Sequence, residues 1–346
     1  MNKKLIKAIS QAQSGKRMNI LDIGARGGLQ WPWNSIPAEL IKATLVEPDP
    51  IEAEMLAKHS ANKDLSIEVL AFALWGSCRD LTLSINRSAG TSSIFKPNRD
   101  FLDQFPESER FDILRQLPTS AVSLDHLEAR ELLTPPDFAK IDIQGAELEV
   151  LRGGKALLRN NLVGLEVEVA FSEMYEKQPL FRHIDEFVQD ELGLALWDLR
   201  GSYWRYKIKS FIGGSKKGQF IFGDALYLMP LPRLSVFCGQ LDAKVAKHKL
   251  ISLVISALVF GYYDYAALIL EDKRFSVIIG FDNCQIILDL IRRRKYRNYS
   301  FSGYRLRSTI YGCFGLLTDF FRPTHNDWAI SNENLGSRKV GFFWRY

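Results

Sequence analysis

Asp142 stands in the run Phe138-Ala-Lys-Ile-Asp-Ile-Gln-Gly-Ala-Glu-Leu-Glu-Val-Leu-Arg-Gly-Gly154, where an apolar β-like stretch ends on a carboxylate and a helical pattern follows. A carboxylate there can take a proton, cap the following helix or orient a cationic group. Two further features share its setting. Ile20-Leu-Asp-Ile-Gly-Ala-Arg-Gly-Gly28 ends an apolar run on a glycine turn, and Val46-Glu-Pro-Asp-Pro50 ends another on Glu47, 23 residues after Gly24. Glycine lets backbone pass close to a ligand, and an acid at that distance is placed to take ribose hydroxyls, so the pair points to a nucleoside cofactor. The order is not G-x-G-x-x-G, because Ala25 and Arg26 follow Gly24, and a pyrophosphate is poorly served.

Other residues carry weaker chemistry. Glu166 and Glu168 share one face of an apolar run, where either can meet an acceptor or pair with a buried cation. Phe72, just past the third strand, is placed to pack an adenine or the core. His126 and His183 read as packing or surface residues. Cys78, Cys238, Cys284 and Cys313 stand apart with no C-x-x-C pair, so neither a zinc site nor a disulfide framework is expected. Asp142 lacks a nearby partner that would complete a metal site, and a metal-independent reaction is expected.

These residues need a sheet to bring them together. From Met18 to Leu228 short β-like runs alternate with helical patterns, the mark of a doubly wound α/β sheet. The spacing predicts strands at Met18–Ile23, Thr44–Glu47, Ser66–Leu70, Ala139–Ile143 and Val163–Val169, with helices at Ile51–Lys58 and Ala146–Arg159. An extra strand is expected at Leu81–Ile85. The stretch Arg87–Thr119, broken by Gly90, Pro97, Pro106 and Pro118, reads as a loop or lid. After a helix at Phe181–Leu192, Ala195–Leu199 and Gln219–Leu228 read as an antiparallel closing pair joined by the basic loop Lys207–Lys217. Met229-Pro-Leu-Pro-Arg233 breaks the alternation, so the expected division is a domain at 1–230 and a mainly helical extension at 231–346.

The chain has 346 residues, 47% hydrophobic and 25% charged, an ordinary globular composition. Its formal charge of +5 is unevenly spread: residues 231–346 hold 17 Lys and Arg against 9 Asp and Glu, and the first 230 hold 28 against 31. A basic tail favours acidic partners or forms a solvated face. Leu250–Phe260 is apolar but too short to span a bilayer and reads as a buried helix. The N-terminus lacks the apolar core and cleavage site of a secretory signal, which makes a cytoplasmic location the expectation.

The order Asp-x-Gly-x-x-x-Gly from Asp22 to Gly28 resembles the first motif of class I S-adenosylmethionine-dependent methyltransferases. Lys140-Ile-Asp-Ile-Gln-Gly-Ala-Glu-Leu-Glu-Val-Leu-Arg-Gly-Gly154 closely resembles the signature of the FkbM-type methyltransferase family. Val122-Ser-Leu-Asp125, Leu165–Phe171 with Tyr175, Gln178-Pro-Leu-Phe181 and Gly218–Tyr227 are similar to the rest of that family's catalytic domain, so the resemblance covers about residues 18–230. It implies a Rossmann-like fold and S-adenosylmethionine held by Asp22, Gly24, Ala25, Arg26, Gly28, Glu47 and Phe72, with Asp142 and Glu168 as catalytic candidates. Two positions depart from the family's usual residues: Arg26 stands where Asn is common, and Gln144 where Glu is common. Arg26 is a candidate clamp for the cofactor carboxylate.

The implied activity is O-methylation of a sugar hydroxyl in a glycan or secondary metabolite. The alternatives are a noncatalytic binding module of a glycan-assembly complex and an RNA methyltransferase. The run Ile291–Arg307 mixes aromatics with cations. With this activity it suggests a phosphorylated or lipid-linked acceptor or an anionic membrane surface rather than nucleic acid.

Overall fold

The computed structural model describes residues 2–60, 65–208 and 218–292, with the backbone of 330–331. Its strands in chain order are β1 (Met18–Ile23), β2 (Ile41–Val46), β3 (Ile67–Leu70), β4 (Ala73–Leu74), β5 (Arg79–Asn86), β6 (Ile113–Val122), β7 (Phe138–Ile141), β8 (Gly164–Ala170), β9 (Ala195–Trp204), β10 (Gln219–Leu228) and β11 (Ile330–Ser331). The main sheet has the order β11-β9-β10-β8-β7-β1-β2-β3. Strands β3, β2, β1, β7 and β8 run parallel, and β10 and β9 close the sheet antiparallel. Every residue of β1 and β8 is buried, as expected of strands covered on both faces. Chain order reverses between β1 and β7, which opens a crevice at their carboxyl ends.

The helices are α1 (Lys3–Gln13), α2 (Pro50–Ser60), α3 (Arg99–Leu102), α4 (Leu124–Ala129), α5 (Glu147–Gly153), α6 (Lys155–Asn161), α7 (Phe181–Glu186), α8 (Leu231–Gly239), α9 (Ala243–Val259), α10 (Tyr263–Glu271), α11 (Lys273–Ile279) and α12 (Phe281–Arg292). Side-chain caps set several starts: Asn2 accepts from the Leu5 N–H, and Asp242 from those of Lys244 and Val245. Helix α9 is buried on nearly every side from Ala246 to Leu258, as its all-round apolar sequence requires. Among the described residues no helix is long and apolar enough to cross a membrane.

The helices after residue 231 share one apolar cluster with the sheet and α1. At its centre Phe138, the first residue of β7, packs against Trp33 at 4.7 Å and Phe260 at 5.7 Å between ring centroids.

Three expectations from the sequence need correction. Arg87–Thr119 is not a loop throughout: β6 begins at Ile113, and β4, β6 and β5 form a separate three-stranded flap. Pro118 is tolerated inside β6 because β4 pairs only at Ala121 and Val122, leaving that side of β6 open at Pro118. The helix expected over Ala146–Arg159 divides at Gly154 into α5 and α6. A Cβ on Gly153 would lie 2.4 Å from the Trp75 carbonyl oxygen, and one on Gly154 2.7 Å from Leu124, so both glycines serve close packing. Strand β9 continues past Leu199 to Trp204, paired along its length with β10. The Lys207–Lys217 loop and the Ile291–Arg307 run fall mostly outside the described residues.

Candidate active site

The crevice is a cleft with about 1010 Å³ of empty space, partly open to solvent. Its floor comes from residues just past three strand ends: Gly24 after β1, Glu47 after β2 and Asp142 after β7. The Gly24 turn is built for close approach. Gly24 has φ of +82°, and a Cβ there would lie 1.9 Å from the carbonyl oxygen of Asp142. Only glycine lets β1 and β7 release their chains side by side at this point.

Each candidate residue can now be placed. Gly24, Arg26, Glu47, Phe72 and Asp142 line the cleft. Asp22 lies at the end of β1, 1% exposed. Ala25 is buried, its N–H bonded to the Val46 carbonyl, and Gly28 turns toward Leu56. Glu168 is buried on β8 and reaches the cleft through Gln144, whose side-chain nitrogen donates to Asp142 at 3.0 Å and to Glu168 at 2.8 Å. The amide thus bridges two acids where a third would repel both. His126 and His183 do not line the cleft.

Several functional residues were missed in the sequence. Glu147 accepts from the backbone N–H groups of Ile143 and Gly145, all at 3.0 Å. It thereby fixes the turn in which Gln144 takes φ of +59° and Gly145 +111°. The flap covers the cleft with Leu83, Ile85, Gly90, Ser92, Ile94 and Thr119. Ser93 ties flap to turn by donating to the Gln144 carbonyl at 2.7 Å, and the Tyr175 hydroxyl donates to Thr91. At the other side Asp49, 5% exposed, is held by Arg26 at 3.3 Å and by Arg115 of β6 at 3.1 Å. Nothing in the polar run Thr91-Ser92-Ser93 marks Ser93 as the residue that makes this tie.

Electrostatically the sheet around Asp142 is rich in acid. Asp22, Asp142, Glu166, Glu168 and Asp224 surround Lys140 and Arg200 on neighbouring strands. Burial pushes Asp22 up to about 6, Glu147 up to about 7 and Glu166 up to about 8. Burial, with the charges of Asp142 and Glu147, also holds Glu168 well above the carboxylate range. Lys140 is pulled down by burial, but the adjoining Asp142 and Asp22 carboxylates outweigh that and keep it charged. Among the described residues no group of three or more His, Cys, Asp or Glu is arranged to hold a metal ion.

The raised acids fix a pH dependence. An acid whose folded pKa is raised stabilises the fold below its unfolded pKa, near 4, and loses that contribution as pH rises through the folded value. The melting temperature of the ligand-free chain is therefore expected to be highest near pH 5 and to fall through pH 6 to 8. Glu166→Gln should flatten the upper part of that decline in thermal melts. A melting temperature that rises steadily from pH 5 to 8 would show these acids to be ionised in the fold.

The parallel sheet, its antiparallel closing pair, the glycine turn and the cleft at the switch point define the class I methyltransferase fold, here with added C-terminal helices. Residues 22–193 match the Methyltransferase FkbM domain, and this part of the chain belongs to the FkbM-type methyltransferase family.

Solved structures similar to it are remote in sequence. The methyltransferase FkbM from Methylobacillus flagellatus is 13% identical with a TM-score of 0.37, over 61% of this chain and 43% of that one. The match thus spans less than half the length of that protein. The precorrin-6y C5,15-methyltransferase from Geobacter metallireducens is 10% identical, TM-score 0.30, over 65% and 87% of the two chains. A SAM dependent methyltransferase from Aquifex aeolicus is 11% identical, TM-score 0.28, over 65% and 92%. No curated protein sequence matches the chain.

Proposed function

We propose that the chain is an S-adenosylmethionine-dependent O-methyltransferase whose acceptor is a sugar hydroxyl of a glycan or secondary metabolite. One observation carries the donor assignment: Gly24, Glu47 and Asp142 converge on a single cleft at the switch point of the sheet. The residues fit the donor. Glu47, buried and pushed up by that burial, stands where ribose hydroxyls would bond to it. Phe72 and Leu74 give an apolar wall for adenine. The Asp142 side chain, on the cleft beside Gly24, suits a ligand bearing a sulfonium and an ammonium group. Arg26 keeps free donors beyond its bond to Asp49 for the cofactor carboxylate.

When bound, S-adenosylmethionine supplies an electrophilic methyl group and leaves as a neutral thioether. The chain's own part is to place an acceptor oxygen in line and to exclude water, which the flap does by closing one side of the cleft. The acceptor hydroxyl must also lose its proton. Glu168 is buried with its carboxyl pushed well above the carboxylate range, whereas Asp142 lines the cleft with a 30% exposed side chain, fixed by Lys140 at 3.6 Å and by Gln144. Asp142 is the base in this reading, and general-base help of this kind contributes about 10²–10⁴-fold.

Thermal melting with added ligand tests the donor assignment. S-adenosylmethionine and its demethylated product are both expected to raise the melting temperature. At about 100 times Kd the added stability is about 2.7 kcal/mol. ATP should have little effect, because the Gly24 turn does not offer a pyrophosphate site. A shift with ATP alone would overturn the donor.

A further inference from the structure

A second groove lies across the Gln144–Leu148 turn from the cleft, with about 840 Å³ of space open at the surface. Consecutive residues divide the two hollows: Leu74 and Ile94 line the cleft, while Trp75 and Phe95 line the groove. The partition is thin. A Cβ on Gly145 would touch Phe95 and the Gln178 side chain, each at 3.4 Å, three residues beyond Asp142.

The groove has an aromatic wall and a polar rim. Trp75 and Phe95 are both half-buried, with ring centroids 5.9 Å apart and planes inclined at 49°. Trp75 is held by its backbone. Its N–H donates to the Val122 carbonyl at 3.0 Å, and its carbonyl lies so close to Gly153 that no side chain fits between them. Such a wall needs little ordering on binding, which favours affinity. Around it stand Glu149, paired to Arg152 at 2.8 Å, and the exposed Glu173 and Lys177.

That rim carries two acids, Glu149 and Glu173, and two cations, Arg152 and Lys177, with the His183 imidazole beside them. The balance gives no net attraction for phosphate, nucleic acid or a polyamine, yet offers many donors and acceptors to a neutral partner. A pyranose ring matches it: one face of C–H groups packs on an aromatic ring, and the hydroxyl edge bonds to carboxylate and guanidinium. We propose that this groove is a saccharide-binding subsite taking one neutral pyranose ring of the acceptor, beside the unit that is methylated. That this ring belongs to a methyl acceptor rests on the methyl-transfer reading, whereas the saccharide site stands without it.

Saturation-transfer NMR on the full chain tests this with the methyl glycosides of glucose, galactose, mannose, rhamnose and N-acetylglucosamine. At least one is expected to show transfer concentrated on the ring protons of one face. Glucose 1-phosphate should bind no better than methyl glucoside. Trp75→Ala is expected to weaken the bound glycoside about tenfold, with S-adenosylmethionine binding kept. Lys177→Ala, on an exposed side chain that no fold contact needs, should also weaken it and guards against misfolding of the tryptophan variant. The groove assignment fails if no glycoside in the panel gives transfer, or if transfer survives both substitutions. Saccharide transfer without S-adenosylmethionine binding would end the methyl-transfer reading and leave the groove. The reverse result would end the groove alone.

Discussion

Asp137→Ala is expected to destabilise the chain by about 3–5 kcal/mol, because it strips the partner from the buried Lys249 cation. Asp137 is 1% exposed at the start of β7, and its backbone bonds to Asn19 of β1 and to Val163 ahead of β8. Its carboxylate accepts from the Asn19 N–H at 2.7 Å, lies 2.8 Å from His248 Nε2 and accepts from Lys249 Nζ at 2.7 Å. One side chain thereby joins the amino ends of the central strands to α9. Burial alone would raise its pKa, but the bond to His248 and the charge of Lys249 outweigh burial and hold it below the usual carboxylate range. Its contribution is therefore present above pH 4 and lost only in strong acid. In the alanine variant Lys249, 4% exposed, keeps only the Asn161 carbonyl. Asp137→Asn retains the shape and one acceptor, so it should lose less. Urea unfolding of the three chains at neutral pH reads the difference. Losses below 1 kcal/mol in both variants would show that α9 docks by apolar packing alone.

Gly24→Ala is expected to remove ligand binding and to cost about 2–5 kcal/mol of stability, about 1–2 for the left-handed backbone and 1–3 for the clash. The clash is with backbone rather than with a movable side chain, since a Cβ would sit 1.9 Å from the Asp142 carbonyl oxygen. Relief requires the turn after β1 and the turn after β7 to part, and those turns carry Arg26 on one side and Asp142 with Gln144 on the other. The variant should melt earlier and show no stabilisation by S-adenosylmethionine. Gly27 is the control: it also has positive φ but nothing within 4 Å of a Cβ, so alanine there should cost only backbone strain and leave binding largely intact. Equal loss of binding in both variants would mean that the turn acts through flexibility and not through the close approach.

The parts of the fold that could be read in the sequence are those whose cause is local. β1 and β10 match the expected bounds because buried parallel and closing strands are written as apolar runs ended by turn residues. Gly24, Glu47 and Asp142 were legible for the same reason: each ends such a run. The flap was not, because β6 is exposed at most positions from Ile113 to Ser120 and carries a proline, so neither periodicity nor composition marks it as a strand. Glu147 was read only as a helix residue, although its carboxylate holds the preceding turn. Its role depends on a backbone geometry, positive φ at Gln144 and Gly145, that a helical pattern does not announce. The Asp137, His248 and Lys249 cluster joins residues more than a hundred positions apart, and nothing local in either segment links them. The excess of acid around Lys140 likewise emerges only when strand register sets Asp22 beside Lys140, Lys140 beside Glu166 and Glu168 beside Asp224.

That register also explains why Gln144 suits this chain. Asp142 and Glu168 project toward one point, and the amide supplies two N–H donors where a carboxylate would add charge. The change from the residue common in the family is thus accommodated by hydrogen bonding and leaves Asp142 on the cleft wall with its own partners intact.

Calorimetric titration of the full chain with S-adenosylmethionine tests the methyl-donor cleft most directly. One molecule is expected to bind per chain, and Glu47→Ala is expected to weaken it about tenfold or more while leaving the fold unchanged by circular dichroism. A folded wild-type chain that gives no heat of binding and no competition between S-adenosylmethionine and its demethylated product would contradict the assignment of the cleft.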